Sequence, residues 1–195
     1  MIFTIPGRSV VPSYGLIVEG IYDVGVFEVL THRLDSPDAR FFPLECGGVG
    51  HLMKELLGLL ESLEFIDNGN PVDKVLVIRD CGRRQTADVE AEMRAKVGRR
   101  QYRFPRGIEF CAIRQETETW LLADEKAIAT VARRTVGVVN GDLEDLPDPK
   151  ERLQKILSAA KLQYLPATLR AIAENSDLGT LRYRLPCFRS FEQKI

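Results

Sequence analysis

Tyr14-Gly-Leu-Ile-Val-Glu-Gly20 and Lys74-Val-Leu-Val-Ile-Arg-Asp80 decide the fold. Val, Ile and Leu dominate both runs, so each reads as a strand buried on both faces. Each run ends in a single acid, Glu19 or Asp80. In open α/β sheets, sites are built outside the carboxyl ends of the strands, where such an acid is first free to meet solvent or a metal. Alone, either acid reads as a solvated loop residue. Together they are the chain's best pointer to function.

Outward from these runs, β and α patterns alternate. A helix is expected from about residue 22 to 33, with Val24, Phe27, Val29 and Leu30 on its apolar face. Ala-Arg-Phe-Phe-Pro-Leu-Glu-Cys (39–46) reads as a second strand, and Pro43 suits an edge better than a centre. Gly-Gly-Val-Gly (47–50) then opens a helix striped by Leu52, Met53, Leu56, Leu57, Leu60 and Leu63. Asp67 to Pro71 is a turn, Thr86 caps a charged helix running to about Lys96, and residues 107–114 supply another strand. Residues 117–134 read as one long amphipathic helix. This alternation defines the class as α/β, a three-layer, mainly parallel sheet. After Val139 the character changes to an acidic stretch, two helical segments and an aromatic-rich tail. Residues 1–139 are therefore read as the sheet domain and 140–195 as a helical extension packed on it.

The chain has 195 residues, 45% hydrophobic and 28% charged, with a net charge of -1, which gives no global attraction to nucleic acid; any such attraction must be local. The opening Met-Ile-Phe-Thr-Ile-Pro lacks a leader pattern and no apolar span reaches membrane length, so a cytoplasmic protein without membrane contact is expected. Cys46, Cys81, Cys111 and Cys187 are scattered, with neither a C-x-x-C pair nor a His at ligand spacing, and are expected as reduced thiols. Cys81 lies beside Asp80, yet neither His32 nor His51 is placed to serve it as a base.

Glu19 is followed by Gly20, which permits a tight turn, and by Asp23 four residues on. Asp23 shares the face of Glu19 if the helix begins at once; otherwise it serves the helix dipole. Carboxylates on adjacent strand ends suit a hard divalent cation, Mg2+ or Mn2+, and so phosphoryl transfer. Glu116 and Glu118, after the next strand, are candidate further ligands; Glu118 also suits a helix start, and Trp120, Leu121 and Leu122 suit the core. Arg83, Arg84, Arg99, Arg100, Arg103 and Arg106, interleaved with Tyr102 and Phe104, read either as a nucleic-acid patch or as a solvated charged surface. Cys46-Gly-Gly-Val-Gly-His51 lacks the Lys-Ser/Thr of a P-loop and is read as a turn into a helix rather than a phosphate cradle.

Leu-Ile-Val-Glu-Gly-Ile-Tyr-Asp (16–23) followed by Val-Leu-Val-Ile-Arg-Asp (75–80) resembles the Toprim fold of topoisomerases, primases and nucleases of the overcoming-lysogenization-defect type. Residues 112–124, 148–157 and 185–191 are similar to a family of small bacterial Toprim-like proteins with a Glu-x-Trp-Leu-Leu-x-Asp segment. The resemblance implies a Toprim-like (Rossmann-like) sheet and a metal-dependent nuclease. Glu19 would be its acid or base and Asp80 its magnesium ligand, supported by Asp23, Glu116 or Glu118. It implies a nucleic-acid substrate, DNA ahead of RNA, and an ATPase partner in phage defence or DNA maintenance. Gly82 stands where the Toprim pattern has its second Asp. That departure keeps open a rival, a noncatalytic nucleic-acid or protein-binding module with a degenerate metal site.

Overall fold

The two apolar runs are the central strands of one sheet. In the computed structural model, which describes residues 11–48 and 50–195, β1 (Ser13–Val18) and β3 (Lys74–Asp80) pair in parallel, from Tyr14 opposite Lys74 to Ile17 opposite Val77. β2 (Arg40–Glu45) adds in parallel to the free side of β1, and β4 (Ile108–Ile113) to the free side of β3, giving the order β2-β1-β3-β4. Pro43 lies on an edge strand, where its missing N–H breaks no inner ladder. The reading of the opening residues as leaderless, and Val49 of the glycine loop, lie outside the described residues.

Alternation along the strands divides the core between two faces. Leu16, Val18, Leu76, Ile78, Cys111 and Ile113 join one buried cluster; Ile17, Val75, Val77, Phe110 and Ala112 join the other. Helix α1 (Ile21–Leu34) covers the first face with Val26, Phe27, Val29 and Leu30. Helices α2 (Leu52–Leu63) and α3 (Thr86–Val97) cover the second with Leu52, Leu56, Leu60, Leu63, Val89 and Met93. The three-layer, mainly parallel α/β reading holds, and all three strand pairings are parallel.

Two expectations are corrected. The long helix over 117–134 is broken into α4 (Glu118–Leu121) and α5 (Glu125–Ala132). Asp124 between them leaves helical geometry, and its side chain accepts the N–H groups of Lys126 (3.0 Å) and Ala127 (3.3 Å), starting a new helix. Thr86 is the first helical residue of α3; Gln85 holds the cap position and no side chain caps that end.

The helices after residue 139 are α6 (Pro149–Ala159), α7 (Pro166–Asn175), α8 (Leu178–Arg184) and α9 (Pro186–Glu192), the last two formed by the aromatic tail. Leu153, Leu157, Leu169, Ile172, Leu181, Phe188 and Phe191 are buried in the same cluster as α1 and Trp120. This segment therefore completes the outer layer on the α1 face. All four cysteines are free thiols, Cys81, Cys111 and Cys187 being buried. Among the described residues no helix is long and apolar enough to cross a membrane.

Candidate functional site

From β1 the chain steps through α1 outward to β2, then back past β1 to β3. The direction of winding reverses between β1 and β3, and the crevice at their carboxyl ends is where open α/β sheets take ligands. Glu19 and Asp80 flank that crevice. Asp23 does serve the helix start, since its Oδ2 accepts the Gly20 N–H at 3.1 Å. It also faces the crevice: its carboxyl and that of Asp80 both lie beside the Thr117 hydroxyl, which is 3.4 Å from Asp80 Oδ1. Arg79 Nε sits 3.6 Å from Glu19 Oε1, and Arg79 also pairs with Glu92 at 3.2 Å.

The C-terminal layer closes the crevice. The Lys150 backbone N–H donates to Glu116 Oε2 at 3.1 Å, and the Tyr164 hydroxyl donates to Glu118 Oε1. The Tyr164 ring packs on Tyr22 at 5.0 Å, with Lys150 Nζ 5.6 Å from the Tyr164 centroid and 5.9 Å from that of Tyr22. Arg79, Thr117 and Lys150 lie within the segments that carry the resemblance but have no role read for them there, and Tyr164 lies outside those segments. Only the fold brings Lys150 and Tyr164 to the strand ends.

Five carboxylates crowd this edge. Asp80 is held well above the usual carboxylate range by burial, then by the charges of Asp23, Glu118, Glu19 and Glu116. Burial also raises Glu19, against Arg79 and with Asp23 pushing the same way. It raises Asp23 against the Thr117 hydroxyl, the Gly20 N–H and Lys150, and Glu116 against the Lys150 N–H. The negative charge thus exceeds what Arg79 and Lys150 offset, and either protons or a cation must complete the balance. Hard oxygen donors without sulfur or imidazole fit Mg2+ or Mn2+ in chemistry. In position the fit is incomplete: among the described residues no three His, Cys, Asp or Glu side chains are grouped to hold a metal ion.

Gly82 has a backbone reason to be glycine. Its φ of 55° is left-handed, and its N–H and C=O exchange hydrogen bonds of 3.0 Å with Gln115, tying the loop after β3 to the loop after β4. Nothing lies within 4 Å of an added Cβ, so Gly82→Asp meets strain rather than a clash. A cost of about 1 kcal/mol is expected, read as a melting temperature lower by ~2–4 °C. An unchanged melting temperature would remove strain as the reason for this glycine.

The arginines fall into two groups. Arg83 is exposed and Arg84 pairs with Glu92 at 2.8 Å, both beside the acidic crevice. Arg99, Arg100, Arg103 and Arg106 lie in the connection from α3 to β4, at the opposite edge of the sheet. There Arg100 is 3.6 Å from Glu61, Arg103 is 3.4 Å from Glu64 and stacks over Phe65, and Arg106 is 3.3 Å from Asp35. Tyr102 is half-buried and stacked on Phe104 at 5.6 Å. Gly47, Gly48 and Gly50 all have positive φ, and the Gly48 N–H donates to the Glu19 carbonyl at 2.9 Å, so that loop is joined to the crevice as a turn.

No family model, no curated protein and no solved structure matches the chain. The class that fold and site define is an α/β protein with an open parallel sheet and an acidic crevice at its switch point.

Proposed function

We propose that this chain is a Toprim-like, divalent-metal-dependent nuclease or phosphoryl-transfer protein acting on nucleic acid, DNA ahead of RNA. The observation that carries it is the undercompensated set of carboxylates at the switch point of the sheet. Asp80, with Asp23 and Glu118, would hold Mg2+ or Mn2+, and Glu19 and Glu116 stand beside them. When bound, such a cation would supply charge neutralisation and Lewis-acid stabilisation of a leaving oxygen. Glu19, raised by burial, would serve as general acid or base at the attacking or leaving oxygen. Arg83, exposed beside the crevice, would grip a flanking phosphate, and Arg84 would do so by exchanging Glu92 for it. The resemblance would place this activity beside an ATPase, in phage defence or DNA maintenance.

The test is cleavage of supercoiled and single-stranded DNA with Mg2+ or Mn2+. The wild-type protein is expected to cut. Glu19→Gln is expected to lose ~10²–10⁴-fold in rate while still binding Mn2+. A second reading, a noncatalytic nucleic-acid-binding module, is favoured by the lack of three grouped ligands among the described residues and by Gly82. DNA retention without Mn2+ binding or cleavage would establish it instead.

A further inference from the structure

Arg79 precedes Asp80 in β3, so the pleat sends the two side chains to opposite faces of the sheet. Val75 and Val77, in phase with Arg79, and Ile17, in phase with Glu19, belong to the face that α2 and α3 cover; Leu76 and Ile78, in phase with Asp80, belong to the α1 face. The strand ends are divided accordingly. Asp80, Asp23 and Thr117 meet on the α1 side, and Arg79, Glu19, Glu92 and Arg84 meet on the other.

On that other side the Arg79 guanidinium is under-satisfied. Its side chain is only 16% exposed, and its Nε stands 3.6 Å from Glu19, beyond hydrogen-bond reach. Its Nη1 lies 3.2 Å from Glu92 Oε2, yet both atoms are buried without a hydrogen-bond partner among the described residues. Buried polar atoms left in this way are costly. Arg84 Nη2 converges on the same Glu92 carboxylate at 2.8 Å from the exposed side. One carboxylate thus faces two guanidinium forks and aligns poorly with the inner one. A tetrahedral phosphate has oxygens enough for both forks at once. Arg79 and Arg84 balance Glu19 and Glu92, and exposed Arg83 adds a positive charge.

We propose that Arg79 and Arg84 form an oxyanion seat on the α2 and α3 side of the crevice, which takes a phosphate group by displacing Glu92. The seat needs no cation, and it shares with the reading above only the phosphate.

Calorimetry of the full chain with inorganic phosphate, in buffer containing a metal chelator, tests it. The wild-type protein is expected to bind. Arg79→Gln should weaken binding ~10–100-fold, and Arg79→Lys should fall between, since it keeps a point charge without the fork. Glu92→Gln removes the competing carboxylate and should tighten binding ~2–5-fold, a gain that misfolding could not produce. Lys96→Gln, near the far end of α3, should bind as wild type does. Competition with a single-stranded oligonucleotide assigns the source of the phosphate: displacement by a 5′-phosphorylated strand alone means a terminal phosphate, equal displacement by its 5′-hydroxyl counterpart means the backbone, and displacement by neither means free phosphate. Absence of phosphate binding by the wild-type protein, unchanged affinity in Arg79→Gln, or no gain in Glu92→Gln would overturn the seat. Because no metal is present, such a failure leaves the nuclease reading to its own cleavage test.

Discussion

Asp80→Asn is expected to raise the melting temperature of the metal-free protein at pH 7.5 and to abolish Mn2+ binding. Asp80 is raised above its unfolded value by burial and by four neighbouring carboxylates. The folded state therefore binds the Asp80 proton more tightly than the unfolded state does. The stability this group contributes is greatest below the ordinary carboxylate range and is lost as pH rises from there to its folded value. Glu19, Asp23 and Glu116 are raised in the same way. For this cluster the metal-free protein is thus more stable at pH 5 than at pH 7.5, and a cation should reverse the order.

Asparagine keeps the shape of Asp80 without the charge that its neighbours repel. Each tenfold gain in proton affinity on folding corresponds to about 1.4 kcal/mol that the ionised carboxylate forfeits, and a chain of this size melts ~2–4 °C higher for each kcal/mol gained. Because Asp80 would be a direct ligand, its loss should exceed the ~100-fold upper range for groups acting behind a ligand. Thermal melts at both pH values, with and without Mn2+, read both effects. A lower melting temperature for Asp80→Asn at pH 7.5 would show that the charge is already compensated, and the case for a cation would fall with it.

The same edge shows why some of the site is legible in the sequence and some is not. Glu19, Asp80 and Asp23 can be read because a buried strand displays its end in the sequence, and the helix after Gly20 begins at once. Gly82 reads as a missing ligand, whereas the structure adds a backbone reason, a left-handed residue bridged to Gln115. Lys150 and Tyr164 reach the crevice by chain return, and no local pattern marks that. Composition groups the basic stretch after α3 with Arg83 and Arg84. In a parallel sheet, however, the connection entering β4 lies at the edge opposite the one leaving β3. The broken helix has a different cause. Trp120, Leu121, Ala127, Ile128 and Val131 fit one helical pattern, while the break depends on Asp124, whose Oδ2 also accepts the N–H of Asp177, 53 residues away, at 2.7 Å.

Trp120→Ala is expected to be the most destabilising single change in the core, costing ~3–5 kcal/mol, or about 6–20 °C in melting temperature. The ring is 1% exposed and meets Phe27 of α1 at 5.6 Å and Phe188 and Phe191 of α9 at 5.2 and 5.3 Å, each edge to face. Its indole N–H has no partner among the described residues, so the stabilisation comes from apolar area and ring geometry. Trp120→Phe, which discards that N–H but keeps an aromatic ring, should therefore cost less. Because these rings join the helices after residue 139 to α1 and the sheet, far-ultraviolet and tryptophan-fluorescence melts of the wild type should coincide. Trp120 is the chain's one tryptophan, so fluorescence reports this junction alone. Two separated transitions would contradict a shared core. In Trp120→Ala, α4 loses its anchor two residues beyond Glu118, and the layer carrying Tyr164 and Lys150 loosens with it. Mn2+ affinity should accordingly fall in Trp120→Ala more than in Trp120→Phe, in the order of their melting temperatures.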